Sequence, residues 1–268
     1  MIGREFNIKL KIMATKKTKT FSAVTTVTTV ATSQTIPLTD ANGNITKISL
    51  ANLKAALLDG INLNSINDGV FIMFHLNSDD YPRMVKPDKW TSYQNSGEIA
   101  EGVVVVEGGK ILVVAPTEAD SAGLLWSSAA VSAGGKTTTD RLVAFDDWSG
   151  KENTAAQITH DECNDPAYAP GFCAAYSRVN ANGKGLTAGK WWLPSEGELM
   201  MIYANMRKIN YALSFINGAT PLAETWYWSS TESSAGCAWI LALSYGSAGH
   251  STKATYKIRV RAVSAFLY

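Results

Sequence analysis

The clearest periodic stretch of the chain is WWLPSEGELMMIYANMRKI, residues 191–209. Leu199, Ile202, Tyr203, Met206 and Ile209 recur there at helical spacing, and one apolar stripe of this kind marks a core-facing helix. Ser195 and Glu198 stand in the S-x-x-E relation of a capping box at its start. Strand signals come from GVFIMFHL (69–76), GVVVVEGG (102–109) and ILVVAPTEA (111–119), apolar runs bounded by turn residues or ended by Pro116. AWILALSYG (238–246) alternates like a half-buried strand. KIRVRAV (257–263) sets Ile258, Val260 and Ala262 against Arg259 and Arg261, so those arginines are expected to face solvent or an acidic neighbour. FDDWSGKENTAAQI (145–158) reads as an acidic turn entering a short helix, and CAAYSRV (173–179) as a second short helical piece.

The first sixty residues follow other rules. In FSAVTTVTTVATSQTI (21–36), Val24, Val27 and Val30 recur every third residue among threonines. Stiff β-branched side chains favour extended chain over helix. A period of three suits an extended segment wound about a threefold axis, and equally a low-complexity linker. Asn42-Gly43 between two apolar-containing runs predicts a hairpin. Ser49 then caps a short helix with Leu50, Leu53 and Leu57 on one face and Gly60 as its stop. A unit this small buries little core and is expected to pack on a neighbour or on another copy.

The chain has 268 residues, 46% hydrophobic and 18% charged, with a net charge of +1. This balance predicts no nucleic-acid partner. Residues 1–20 are the exception, with six lysines and arginines against Glu5 alone. Such a basic arm is either solvated or docks on an acidic partner. Met13-Ala14 is an alternative start. No apolar run reaches the ~18 residues that span a bilayer, and no secretory signal pattern is evident at the N-terminus. Cys163, Cys173 and Cys237 are too few for a disulfide framework, which fits reduced assembly, although a Cys163–Cys173 bridge stays open.

Candidate chemistry is sparse. His75 is expected to be a satisfied buried or edge histidine, because no second ligand stands at useful spacing. Glu196 and Glu198 read as first-turn acids favoured by the helix dipole rather than as a catalytic pair. Asp146, Asp147, Asp161 and Glu162 are the clustered carboxylates that hydrolysis of a polysaccharide would need. HDEC (160–163) has only a superficial likeness to a metal motif. No cofactor and no metal ligand are predicted.

Two resemblances organise these observations. IPLTDANGNITKISLANLKAAL, within residues 22–60, resembles the virion-attachment segment of bacteriophage tail and head fibre proteins. FDDWSGKENT, WWLPSEGEL, WYWSSTE, AWILALSYG and VRAVSAF, in that order over residues 110–268, resemble the formylglycine-generating-enzyme subtype of the C-type lectin fold. The likeness is greatest to the variable proteins of diversity-generating retroelements. The resemblance implies an α+β chain with a C-type-lectin-like C-terminal domain behind a β-rich fibre region. It divides the chain into a basic arm (1–20), an attachment segment (21–60), a β-rich stalk (61–109) and a binding domain (110–268). The Glu-Pro-Asn, Gln-Pro-Asp and Trp-Asn-Asp motifs of calcium-dependent lectins are missing, and Cys237 stands without the second reactive cysteine of the oxidising enzymes. The implied function is therefore non-enzymatic and calcium-independent.

Asparagine occurs 16 times in residues 1–217 and never in residues 218–268. In the variable proteins that this chain resembles, the adenines of template Asn codons are randomised. An AAC codon changed at its adenines cannot give Lys, Gln, Glu, Met or Trp, and within residues 233–256 these types occur only as Trp239 and Lys253. An ordinary strand-and-loop segment rich in small residues would have a similar composition. On the first reading Ile240, Ala242, Tyr245, Ser247, His250, Ser251 and Tyr256 line the ligand face. Leu241, Leu243 and Gly246 are then fixed scaffold, with Trp228 and Trp239 as core support. The expected protein is a homotrimeric fibre on the virion surface. It would hold virion proteins through residues 1–60 and a host-surface glycan or protein through its C-terminal domain. A purely structural virion decoration and a polysaccharide-degrading fibre enzyme are the alternatives.

Overall fold

A computed structural model describes residues 35–39, 45–49, 67–77 and 81–266. The chain divides into two compact units, Met1–Asn62 and Leu63–Tyr268. In the first, β1 (Thr35–Thr39) and β2 (Ile45–Ser49) pair antiparallel, with Thr39 opposite Ile45 and Thr35 opposite Ser49. The pairing is that of the predicted hairpin. Its Asn-Gly turn, the helix expected after Ser49 and the basic arm lie outside the described residues.

The second unit is built on a sheet of order β4-β3-β5-β6-β13-β9. Its strands are β3 (Gly69–His75), β4 (Pro82–Val85), β5 (Gly102–Glu107), β6 (Lys110–Val114), β9 (Trp191–Trp192) and β13 (Val263–Ser264). In β5 the valines point alternately to opposite faces. Val103 and Val105 enter one hydrophobic cluster with Ile72, Phe74, Leu199 and Ile202. Val104 and Val106 enter a second with Met73, Trp126, Trp191 and Trp228. A strand covered on both faces needs no polar alternation, which is why residues 102–106 are an unbroken apolar run.

This double cover corrects the expected domain boundary. Residues 61–109 do not form a separate stalk, because β3, β4 and β5 share one sheet with β6, β9 and β13. The 109/110 boundary falls at the tip of the β5–β6 hairpin, where Glu107 faces Lys110. Gly108 and Gly109 take φ of 55° and 77° there, a turn in which two consecutive positive φ values favour glycine. The two-glycine signal was that of a tight turn within a domain.

One long and four shorter helices surround the sheet in the described residues: α1 (Pro87–Asn95), α2 (Arg141–Phe145), α3 (Gly150–Gln157), α4 (Ala169–Ala175) and α5 (Glu196–Leu213). The predicted long helix is α5, extended by one turn beyond Ile209. The Glu198 carboxylate accepts from the Ser195 N–H at 2.8 Å, and the Ser195 hydroxyl donates to the Asp147 carbonyl at 2.6 Å. The short helices expected in 145–158 and 173–179 correspond to α3 and, displaced N-terminally, to α4. After α4, β7 (Arg178–Val179) pairs with β8 (Gly185–Leu186). The chain ends by inserting β13 between β6 and β9, with Val263 opposite both Val114 and Trp192. Separate from the large sheet are three antiparallel strands in the order β10 (Trp226–Ser234), β11 (Cys237–Ala242) and β12 (Ala248–Thr252). Helices and antiparallel sheets together make this an α+β chain.

Truncation tests the corrected boundary. A fragment of residues 63–268 is expected to melt cooperatively, whereas a fragment of 110–268 loses half of the sheet and shows no cooperative transition by circular dichroism. A cooperative melt of the shorter fragment would restore the stalk.

Candidate ligand-binding face

The three-stranded sheet rests on a buried ion pair. Lys253 Nζ and the Glu232 carboxylate are in contact, and both side chains are fully buried. Lys253 also donates to the Val131 carbonyl at 2.7 Å and lies 4.2 Å from the centre of the Trp126 ring. The two Glu232 oxygens accept from the backbone N–H groups of Ala133 and Gly135. The Trp126 N–H donates to the Lys253 carbonyl at 2.9 Å, and the Trp126 indole N–H to the Ser229 carbonyl at 2.9 Å. Residues 126–135, β10 and the end of β12 thus converge on one charge pair.

The expected face divides around this support. Tyr245 and Tyr256 are 64% and 59% exposed, His250 is exposed, and Ser247 and Ser251 are half-buried. Ile240 and Ala242 are a correction, because both are buried. They belong to β11, the middle strand, whose neighbours β10 and β12 cover its edges while side chains pack on its faces. The remaining five do not share one plane. His250 pairs directly with Trp239 and meets its ring edge-on at 6.1 Å, whereas Ser251 pairs with Ala238 and points to the opposite face. Tyr245 sits in the β11–β12 turn, edge-on to Trp226 at 6.2 Å.

Trp228 and Trp239 are buried as expected, their indole N–H groups donating to the Leu124 and Thr138 carbonyls. Leu241 and Leu243 are buried. Gly246 has φ of 72°, and a Cβ there would lie 2.6 Å from the Tyr203 ring. The β11–β12 turn is closed by Gly246 N–H to the Ala242 carbonyl at 2.8 Å and Ala242 N–H to the Ser247 carbonyl at 2.9 Å.

Beside Trp226 lies a pocket of about 360 Å³, lined among others by Ser121, Glu224, Thr225, Lys257 and Arg259. Glu118 accepts from Arg259 and from the Tyr227 hydroxyl at 2.7 Å, and forms an ion pair with Arg261 at 3.4 Å. The acidic neighbour expected for both arginines is therefore Glu118. Arg261, however, is fully buried, since its guanidinium also donates to the Ala115, Thr220 and Pro221 carbonyls. Sequence spacing could not reveal this pocket, because three distant segments build it.

The carboxylates are placed differently from expectation. Asp147 is buried and accepts from Thr231, Asn153 and Ser149, while Asp146 and Asp161 are exposed. Among the described residues no group of three His, Cys, Asp or Glu could hold a metal ion. His75 accepts or donates a 2.6 Å hydrogen bond with Glu101 through Nδ1. Glu196 and Glu198 are first-turn acids of α5, but both are buried. Burial pushes each up to about 8, with the Asp147 charge adding to the rise and, at Glu198, hydrogen bonds from Ser195 and Trp192 opposing it. Neither Glu196 oxygen has a hydrogen-bond partner. The three cysteines are free thiols, and burial pushes Cys163 up to about 12 and Cys173 well above its usual range.

No protein-family model matches the chain, and no curated protein is significantly similar to it.

Two stability predictions follow from these buried charges. Lys253→Met leaves Glu232 without its cation and is expected to cost about 3–5 kcal/mol. The Glu232→Leu/Lys253→Met double variant recovers only part of it, because two backbone N–H groups then lose their acceptor. Additive urea midpoints would contradict the coupling. Glu196 binds its proton more tightly folded than unfolded, so its contribution is complete below the unfolded value of 4.5 and is lost as pH rises to about 8. Glu196→Gln is expected to flatten that decline in urea midpoints between those limits. An unchanged slope would contradict it.

Proposed function

We propose that the chain is a virion fibre protein that binds a host-surface receptor through a calcium-independent C-type-lectin-like domain and performs no chemistry on it. The observation carrying this reading is the distribution of side chains over residues 233–256. Of the 22 residues in this segment that a randomised Asn codon can encode, Ser233, Ala238, Ile240, Leu241, Ala242 and Leu243 are buried and the other 16 are exposed or half-buried. The two residues outside the reach of that codon, Trp239 and Lys253, are both buried. Replaceable positions on the surface and fixed ones beneath it are what a diversified binding module requires.

The exposed set also suits recognition physically. Tyrosines give contact area with few torsions to freeze, and serine, threonine and glycine supply adaptable hydrogen bonds. Tyr245, Tyr256, His250 and Ser251 provide that mixture on an edge strand and its flanking turns. The attachment-like sequence of residues 22–60 belongs to a compact unit apart from the binding domain, which supports a division of labour between virion and receptor. The fibre setting makes the active form a homotrimer.

Replacing Tyr245 and His250 together with alanine is expected to abolish adsorption to the natural host while the melting transition stays intact. Full adsorption by the folded double variant would overturn the receptor reading. Light scattering should give three times the 28.8 kDa chain mass, and a monomer at micromolar concentration would overturn the trimer.

A further inference from the structure

The pocket beside Trp226 has a chemistry of its own. Its volume of about 360 Å³ lies near the lower end of the ~300–1,000 Å³ of small-ligand sites. Trp226 contributes an aromatic residue to its lining, and Gly249 packs close to that ring, where a Cβ would lie 3.7 Å from it. Ser121, Thr225 and Glu224 contribute hydroxyl and carboxylate groups.

Its charge is unbalanced. Arg259 lines the pocket and shares the single carboxylate of Glu118 with the buried Arg261. The other recorded acceptors of Arg261 are neutral carbonyls. Lys257 is exposed at the rim and adds a further cation, beside the exposed Glu224. The pocket therefore favours an anion, and the aromatic residue favours an anion carried on a flat apolar surface.

We propose that this pocket binds one carboxylate-bearing sugar residue of the hexuronate type. Lys257 and Arg259 take the carboxylate, the Trp226 ring takes the C–H face of the pyranose, and Glu224 and Thr225 take its hydroxyls. The inference rests on the receptor-binding reading for its biological setting, and it narrows the ligand to an acidic glycan. It adds a concave, cationic subsite next to Tyr245 that does not use the replaceable positions. An acidic peptide carries the same anion but lacks a rigid ring of C–H bonds for the indole.

The test uses the full chain, with methyl glucuronide, methyl glucoside and a blocked Ala-Glu-Ala peptide as probes, followed by titration calorimetry and saturation-transfer NMR. Methyl glucuronide is expected to bind about tenfold or more tightly than the neutral glucoside, the scale of one charged hydrogen bond. Lys257→Glu should lose that advantage and leave glucoside binding unchanged, and Trp226→Phe should weaken both sugars. Lys257 is exposed, so its variant is expected to keep the wild-type melt. Equal binding of the two sugars, an unaffected Lys257→Glu variant, or tighter binding of the peptide would each overturn the proposal, as would no binding at all. Loss of adsorption in the Tyr245/His250 variant without any glucuronide binding would leave the receptor reading standing and remove this one. Glucuronide binding by a protein whose adsorption ignores both sites would do the reverse.

Discussion

The contact between Lys253 and Glu232 is the constraint on which the three-stranded sheet and the loops around it depend. Two full charges out of water are tolerated only when their remaining hydrogen-bonding capacity is met. Here the lysine has a carbonyl and an indole ring in addition to its carboxylate, and the glutamate has two backbone N–H groups. Each of those partners belongs to a segment without a regular strand or helix of its own. The pair therefore fixes the path of residues 126–135 and ties β10 to the residue that follows β12. A hydrophobic pair would fill the same space without specifying which backbone groups meet there.

The residue beside Glu232 in β10, Thr231, meets a different electrostatic problem. Asp147 and Glu198 gather at the start of α5 with hydroxyl, amide and indole partners, Glu196 lies there with neither carboxyl oxygen hydrogen-bonded, and none of the ion pairs among the described residues involves the three. The helix dipole lowers the cost of negative charge at this end, but burial outweighs it and keeps the glutamates largely protonated at neutral pH. A carboxylic acid then acts as a compact neutral polar group that locks α5 to the sheet. Adjacent residues of β10 thus stand at two solutions for buried acids, a cation in one case and a proton in the other.

Much of this was legible where one side of an element meets water. Helix α5 announced itself through its stripe and cap, and Trp228 and Trp239 through their place among small residues. Elements covered on both sides were harder. The valines of β5 looked like a stalk because an unbroken apolar run does not say what covers it. Ile240 and Ala242 looked replaceable because β11 alternates, yet it lies between two other strands. Arg261 was expected to face solvent or an acidic neighbour; Glu118 is that neighbour, and the carbonyls of residues far away in the chain complete its burial. Helix α1 carried Pro87 and Asp88 as start signals, but with Pro87 and Trp90 as its buried residues it offered no stripe to count.

Gly246 has the widest consequence of any single backbone position. Its left-handed φ and its contact with Tyr203 tie the β11–β12 turn to the core helix, so the turn has a fixed length and a fixed path. Side chains on either side can be exchanged, but an inserted residue would have to displace the helix. Novelty at this surface is thus confined to substitution, in the manner of a type case whose letters change while its frame does not. Two chains that differ only at such positions would superimpose along their backbones and differ only in what projects from them.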